Sequence, residues 1–268
     1  LNGNVLARPV GAGRGGIIDI TSASNITIGN STTPQIPGVL VLNASQLSSF
    51  GAESLLIGGT RTLGTDTTTV SVRTNRITVS NAGAPLTGAE IILASNSELL
   101  LDTTAIIRQT GSLAGPADTL VVNGAGALLR VSADASASTV RTGVTAPSAT
   151  VGLRIDTGAV ISGNSLTLDS TGLRDYIRDG TQLTGRNITI SSGIVRLLLS
   201  GAGPVDQGLV LGSDVLNQVQ QADSLSLLTY STMDVYGSGV VGSSTLKNLE
   251  IHAAGIRRMS GSGTTTFQ

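Results

Sequence analysis

The densest run of side chains able to do chemistry is Arg174-Asp175-Tyr176-Ile177-Arg178-Asp179. On a helix, residues four apart share a face, so Asp175 would stand with Asp179 and Arg174 with Arg178. Two carboxylates so placed could act as acid and base in glycoside cleavage. That chemistry needs carboxyl groups in two different environments, and one charged, exposed-looking run offers a single environment. A solvated helical turn in an insertion is the plainer expectation. Arg174, Asp175, Tyr176, Arg178 and Asp179 therefore stand as surface-contact candidates, with Tyr176 able to stack on a sugar.

The other chemical candidates are fewer. Gly11 to Gly16 reads GAGRGG, which matches a dinucleotide-binding glycine string in form. Such a string works only between a strand and a helix that receives the pyrophosphate. Here a strand, IIDIT, follows, so a glycine corner entering a strand is the better reading. His252 is the only histidine and alternates with Leu249 and Ile251, which points it outward. With no cysteine and no second histidine, a nucleophilic triad would have to recruit it from an ordinary strand. Asp19, Asp102, Asp156 and Asp169 lie dispersed at strand ends, without the clustered oxygens that calcium requires. No catalytic, cofactor-binding or metal-ligating residue is assigned.

Whatever these side chains do, short aliphatic strands must position them. Ala89 to Thr103 reads AEIILASNSELLLDT and is followed by AIIRQ, so Ile91, Leu99 and Ile107 step by 8 residues each time. From Val151 the chain reads VGLRIDT, GAVISGN, SLTLDST, with Leu153, Ile161 and Leu168 spaced 8 and 7. A third triplet is SLSLLTY, TMDVYGS and LKNLEIHAA, its last strand displaced by GSGVVGSST. DTLVVNG with ALLRVSA, and NITISSG with VRLLLSG, look like incomplete triplets.

Short strands at regular spacing predict an all-β fold. Three per repeat predict a parallel β-helix, or β-solenoid, with about three short strands per turn and loop or short helical insertions. The composition suits such a coil: 40% of residues are hydrophobic but only 2% aromatic, so stacked Val, Ile, Leu and Ala must fill the core. Asn, Ser and Thr would form ladders at the corners, where Asn also tolerates left-handed backbone, and the 35 glycines serve the same corners. Leu42 to Phe50, Ser170 to Asp179 and Asp214 to Gln221 could each form a turn or two of helix. Without a compositional break, residues 1–268 read as one continuous segment.

Net charge is −1 with scattered arginines, which excludes the electrostatic footprint of a nucleic-acid binder. No apolar run approaches the roughly 20 residues that span a bilayer. The absence of cysteine excludes disulfides and thiolate metal sites. The chain starts without a signal-peptide pattern, so the expectation is an internal piece or a processed chain.

Leu42 to Arg61, LNASQLSSFGAESLLIGGTR, resembles large exoproteins of the filamentous haemagglutinin family, as do YSTMDVYGSG from Tyr230 and the later NLEIHAAG. These are scaffold motifs, and the resemblance spans most of the chain. It implies a right-handed β-helix secreted by a Gram-negative bacterium through a dedicated outer-membrane partner, located at the cell surface and in some members adhesive. The family's N-terminal secretion domain is not recognisable here, which again suggests an internal segment of something longer.

A β-helix lengthens by about 4.8 Å per turn, so about ten turns would make a rod roughly 50 Å long. Three readings follow. The first is a structural shaft and adhesive segment, not an enzyme, continuing end to end into further β-helix or another subunit and meeting a surface receptor or glycan. The second is a polysaccharide lyase or hydrolase with a groove built from Asp175, Asp179 and Arg178. The third is a repeating subunit of an extracellular filament or surface layer. Contacts are expected on the insertions Ser31 to Gly38, Ala133 to Ala149 and Gly172 to Gly180.

Overall fold

A computed structural model describes residues 5–8, 15–200 and 207–268. The described residues form 28 short strands and two short helices, an all-β architecture dominated by parallel pairing. The first four residues of the glycine string, 11–14, lie outside the described residues; Gly15 and Gly16 lead into the strand Ile17–Ile20.

The spine is an eight-stranded sheet whose spatial order follows the chain: Ile17–Ile20, Ser54–Ile57, Glu90–Ser95, Ala127–Ser132, Ser165–Ser170, Asn187–Ser192, Ser224–Thr229 and Asn248–His252. In-register pairing puts like side chains in rows. Leu166, Ile188, Leu225 and Leu249 make one row, and Leu168, Ile190, Leu227 and Ile251 another. Parallel neighbours need a long crossover, usually a helix. Here other strands supply it. Between Ser165–Ser170 and its partner Asn187–Ser192, the chain visits Tyr176–Ile177 in a six-stranded parallel sheet and Gln182–Thr184 in a four-stranded one.

Rows of buried aliphatics from these sheets form one core that runs from Ile26 to Val241. A second, smaller cluster of Leu56, Val70, Ile92, Ala94, Leu120, Val122 and Leu128 lies on the other face of the spine, under an outer sheet that includes Thr67–Val72 and Thr119–Asn123. The middle of the spine is therefore buried on both faces. This explains why EIILAS is apolar without alternation, as parallel strands covered on both sides usually are.

Several expectations need correction. DTLVVNG and ALLRVSA are not an incomplete triplet. Thr119–Asn123 joins the outer sheet, while Ala127–Ser132 enters the spine antiparallel to both neighbours. The third strand of the last triplet is Gly239–Val241, inside the presumed insertion; Asn248–His252 instead returns to the spine. The spine has eight strands rather than ten.

Helices form at Ala44–Ser49, capped by the Asn43 side-chain Oδ1, which accepts from the Gln46 N–H, and at Ser213–Val219. Ser170 to Asp179 is not helical; it turns a corner and pairs Tyr176–Ile177 with Arg154 and Ile155. Nor do asparagines adopt left-handed backbone, since every positive φ among the described residues belongs to glycine. Asparagine holds corners through its amide. Asn81 donates to the Ala84 and Ile106 carbonyls and accepts from the Ile106 N–H.

Candidate functional site

The chain's own charge pattern directs attention to three polar clusters. The first lies between the spine and the outer sheet, where alternation aims Ser54, Glu90 and Arg130 away from the main core. Arg130 is fully buried and donates from Nε at 2.9 Å and a terminal nitrogen at 2.7 Å to one oxygen of Glu90. Its remaining donors reach the carbonyls of Ser138 and Asp118. Glu90 accepts from the Ser54 hydroxyl, which accepts from Arg61, and Arg61 pairs with Asp19 at 2.6 Å. These charges neutralise one another around a cavity of about 270 Å³. The cluster fastens two sheets together.

The second cluster is a cross-strand ladder. Arg196, Asp234 and Arg257 occupy one register row, and buried Asp234 sits 3.4 Å from Arg196 and 2.8 Å from Arg257.

The third cluster is the site nominated by sequence. Strand Gly152–Ile155 brings Arg154 beside Tyr176 in register. Gly152 makes room, since a Cβ there would sit 3.1 Å from the Arg174 carbonyl oxygen. Arg174, Asp175, Tyr176, Arg178 and Asp179 all line one groove of about 570 Å³, together with Arg154.

The five residues do different things within it. Arg174, Arg178 and Asp179 are exposed. Tyr176 is half-buried and donates its hydroxyl to Asp156 at 2.9 Å. Burial first, and then the Asp156 carboxylate, raise its pKa. The Arg178 guanidinium lies 4.4 Å from the ring centroid and that of Arg154 lies 5.8 Å away. Cations over an aromatic face are held by its quadrupole. The ring therefore carries guanidinium groups. Arg154 also pairs with Glu98 at 3.1 Å, while its buried Nε makes no hydrogen bond among the described residues.

Asp175 is not exposed, contrary to the sequence expectation. Its Oδ1 accepts from the Leu153 N–H at 2.7 Å and the Ser170 hydroxyl at 2.8 Å, and Oδ2 accepts from the Ser192 hydroxyl at 2.6 Å. One carboxyl thus stitches two spine strands to a strand of the six-stranded sheet. Burial pushes its pKa up to about 7, against the lowering effect of those three hydrogen bonds. Asp175 and Asp179 consequently occupy different environments, one enclosed and one open.

Sequence reasoning missed Arg154, Arg130 and Glu90. The signal was a charge at alternate positions inside aliphatic strands, as in GLRI and ALLRVS. His252 is exposed, with its Nε2 3.7 Å from Glu250. Among the described residues no three His, Cys, Asp or Glu side chains gather as metal ligands, and no helix is long and apolar enough to cross a membrane. The chain matches no protein-family model, no curated protein and no solved structure.

Proposed function

We propose that this chain is a structural shaft and adhesive segment of a secreted bacterial cell-surface exoprotein, built on a right-handed parallel β-helix of about three short strands per turn. The observation that carries the reading is the spine. Eight strands stack in chain order, and the residues between most successive pairs pass through other parallel sheets around one core. In such a stack each added turn lengthens the body without widening it, and stability accumulates turn by turn. That is what a projecting shaft requires. Helices Ala44–Ser49 and Ser213–Val219 pack beside strands Leu86–Gly88 and Gln182–Thr184, where they would stand in for a third-face strand. Secretion through an outer-membrane partner, end-to-end continuation and a receptor or glycan at the host or neighbouring-cell surface belong to the same proposal and rest on the sequence resemblance.

Glycan cleavage is the second reading, favoured by one observation. Asp175, with its pKa pushed up to about 7, and open Asp179 line the same arginine-rich groove. Against it, both Asp175 oxygens are engaged by internal donors.

Incubating the chain with a broad panel of polysaccharides, and measuring both retention of chain-coated beads and release of reducing ends, separates the two. The shaft reading expects retention on some surfaces with no reducing ends released. Steady release of reducing ends would replace it with the enzyme reading.

A further inference from the structure

We propose that the groove around Tyr176 binds a saccharide unit bearing a carboxylate, with Arg174 and Arg178 holding the acid group. This rests on the adhesive reading above and names the ligand class of its contact site. Arg174 and Arg178 are exposed and make no ion pair among the described residues. The Arg178 guanidinium carbon lies over the Tyr176 ring, 4.4 Å from its centroid, a contact that restrains its fork of donors before any ligand arrives. A planar guanidinium presents paired N–H groups that match a carboxylate in two parallel bonds.

The neighbouring acids select for a modest negative charge. Asp179 is exposed in the groove lining, and the buried Asp175 also borders the groove. One carboxylate per saccharide unit places less charge against these acids than a dianionic phosphate or several sulfate esters on each unit would. Asp179, acceptor-only when ionised, and Gln207 of the lining can instead take sugar hydroxyls. Leu173, Leu198 and Val210 supply apolar surface for ring faces. About 570 Å³ lies within the range of small-ligand sites.

An acidic peptide fits less well. Peptides commonly dock by adding a strand to an open sheet edge. Tyr176–Ile177 is the end strand of its sheet but only two residues long, and Leu209–Leu211 packs against it, which leaves too short an edge for a peptide strand to add to.

Calorimetric titration of the full chain tests the site with three probes: a trimer of galacturonate, the neutral galactose trimer, and an oligoglutamate of equal charge. The uronate should bind at least roughly tenfold more tightly than either control, and Arg174→Gln and Arg178→Gln should each weaken it by a similar factor, as loss of a charged hydrogen bond does. Four results would overturn the proposal: no heat at millimolar uronate, equal binding of the neutral trimer, equal binding of oligoglutamate, or unchanged affinity in both variants. Circular dichroism of the same samples shows that the variants are folded. A null titration leaves the shaft reading standing, because that reading fails on bead retention or on the length of the spine.

Discussion

Replacing Asp175 by Asn tests the corner chemistry quantitatively. In the folded chain Asp175 titrates at about 7, against an ordinary value of 3.8, because burial disfavours its charged form. The folded state therefore binds more protons than the unfolded state between those two values. The stability this group contributes is fully present below about pH 3.8, declines as pH rises, and is lost once pH passes about 7. Three pH units at about 1.36 kcal/mol each make the span roughly 4 kcal/mol.

Asparagine removes the charge and keeps the bonds. Its oxygen can still accept from the Leu153 N–H and the Ser170 hydroxyl, and its amide can donate to Ser192 Oγ. Urea unfolding of both proteins from pH 4 to pH 8 isolates the effect, since every other group titrates in both. Asp175→Asn should match the parent within about 1 kcal/mol at pH 4 and exceed it by up to about 4 kcal/mol at pH 8. A stability difference that stays flat across this range would refute the reasoning, and so would a variant that weakens progressively as pH rises.

Other substitutions probe the remaining layers. Arg130→Met leaves Glu90 buried without its partner and should cost about 3–5 kcal/mol in urea unfolding, while Arg130→Met with Glu90→Gln should recover most of it. Gly58→Ala should destabilise by clearly more than the roughly 1 kcal/mol that a compatible glycine site involves. Gly58 has φ +103°, and its new Cβ would crowd the Ala94 carbonyl oxygen. Gly111→Ala, also left-handed at +78° but facing open space, should cost less, as thermal melts of the two variants will show. Leu93→Ala, in the row with Ile57 and Leu129, should lose about 2–5 kcal/mol by urea titration.

The sequence made strands and helices legible where a pattern was local. Eight-residue stepping located Glu90–Ser95, Glu98–Leu101 and Ile106–Gln109, and Asn43 before LNASQL's helix is an ordinary cap. What local pattern could not reveal was pairing at a distance. Nothing in ALLRVS marks it as the one spine strand that runs backwards, because alternation reads the same in either direction. Nor does GVV look like a strand until Thr265–Phe267 lies beside it.

The site was legible as a set of residues but not as an environment. Charge density nominated Arg174 to Asp179, yet helical spacing was the wrong frame for them. Asp175 is enclosed because Ser170, Ser192 and the Leu153 N–H converge on it from three strands, two of them distant in sequence. Arg154 joins the groove only through its register with Tyr176.

A projecting shaft requires the spine to be one continuous stack. Ile17 and Asn248 lie at its two ends in a single register row, both exposed, and the chain has no native cysteine to interfere with labelling. Seven inter-strand steps of about 4.8 Å place their backbones about 34 Å apart. Pulsed electron paramagnetic resonance on spin-labelled Ile17→Cys/Asn248→Cys should give a narrow distribution centred near that distance, widened only by the label arms. A broad distribution, or one centred below about 25 Å, would contradict a row built from that spacing and with it the shaft.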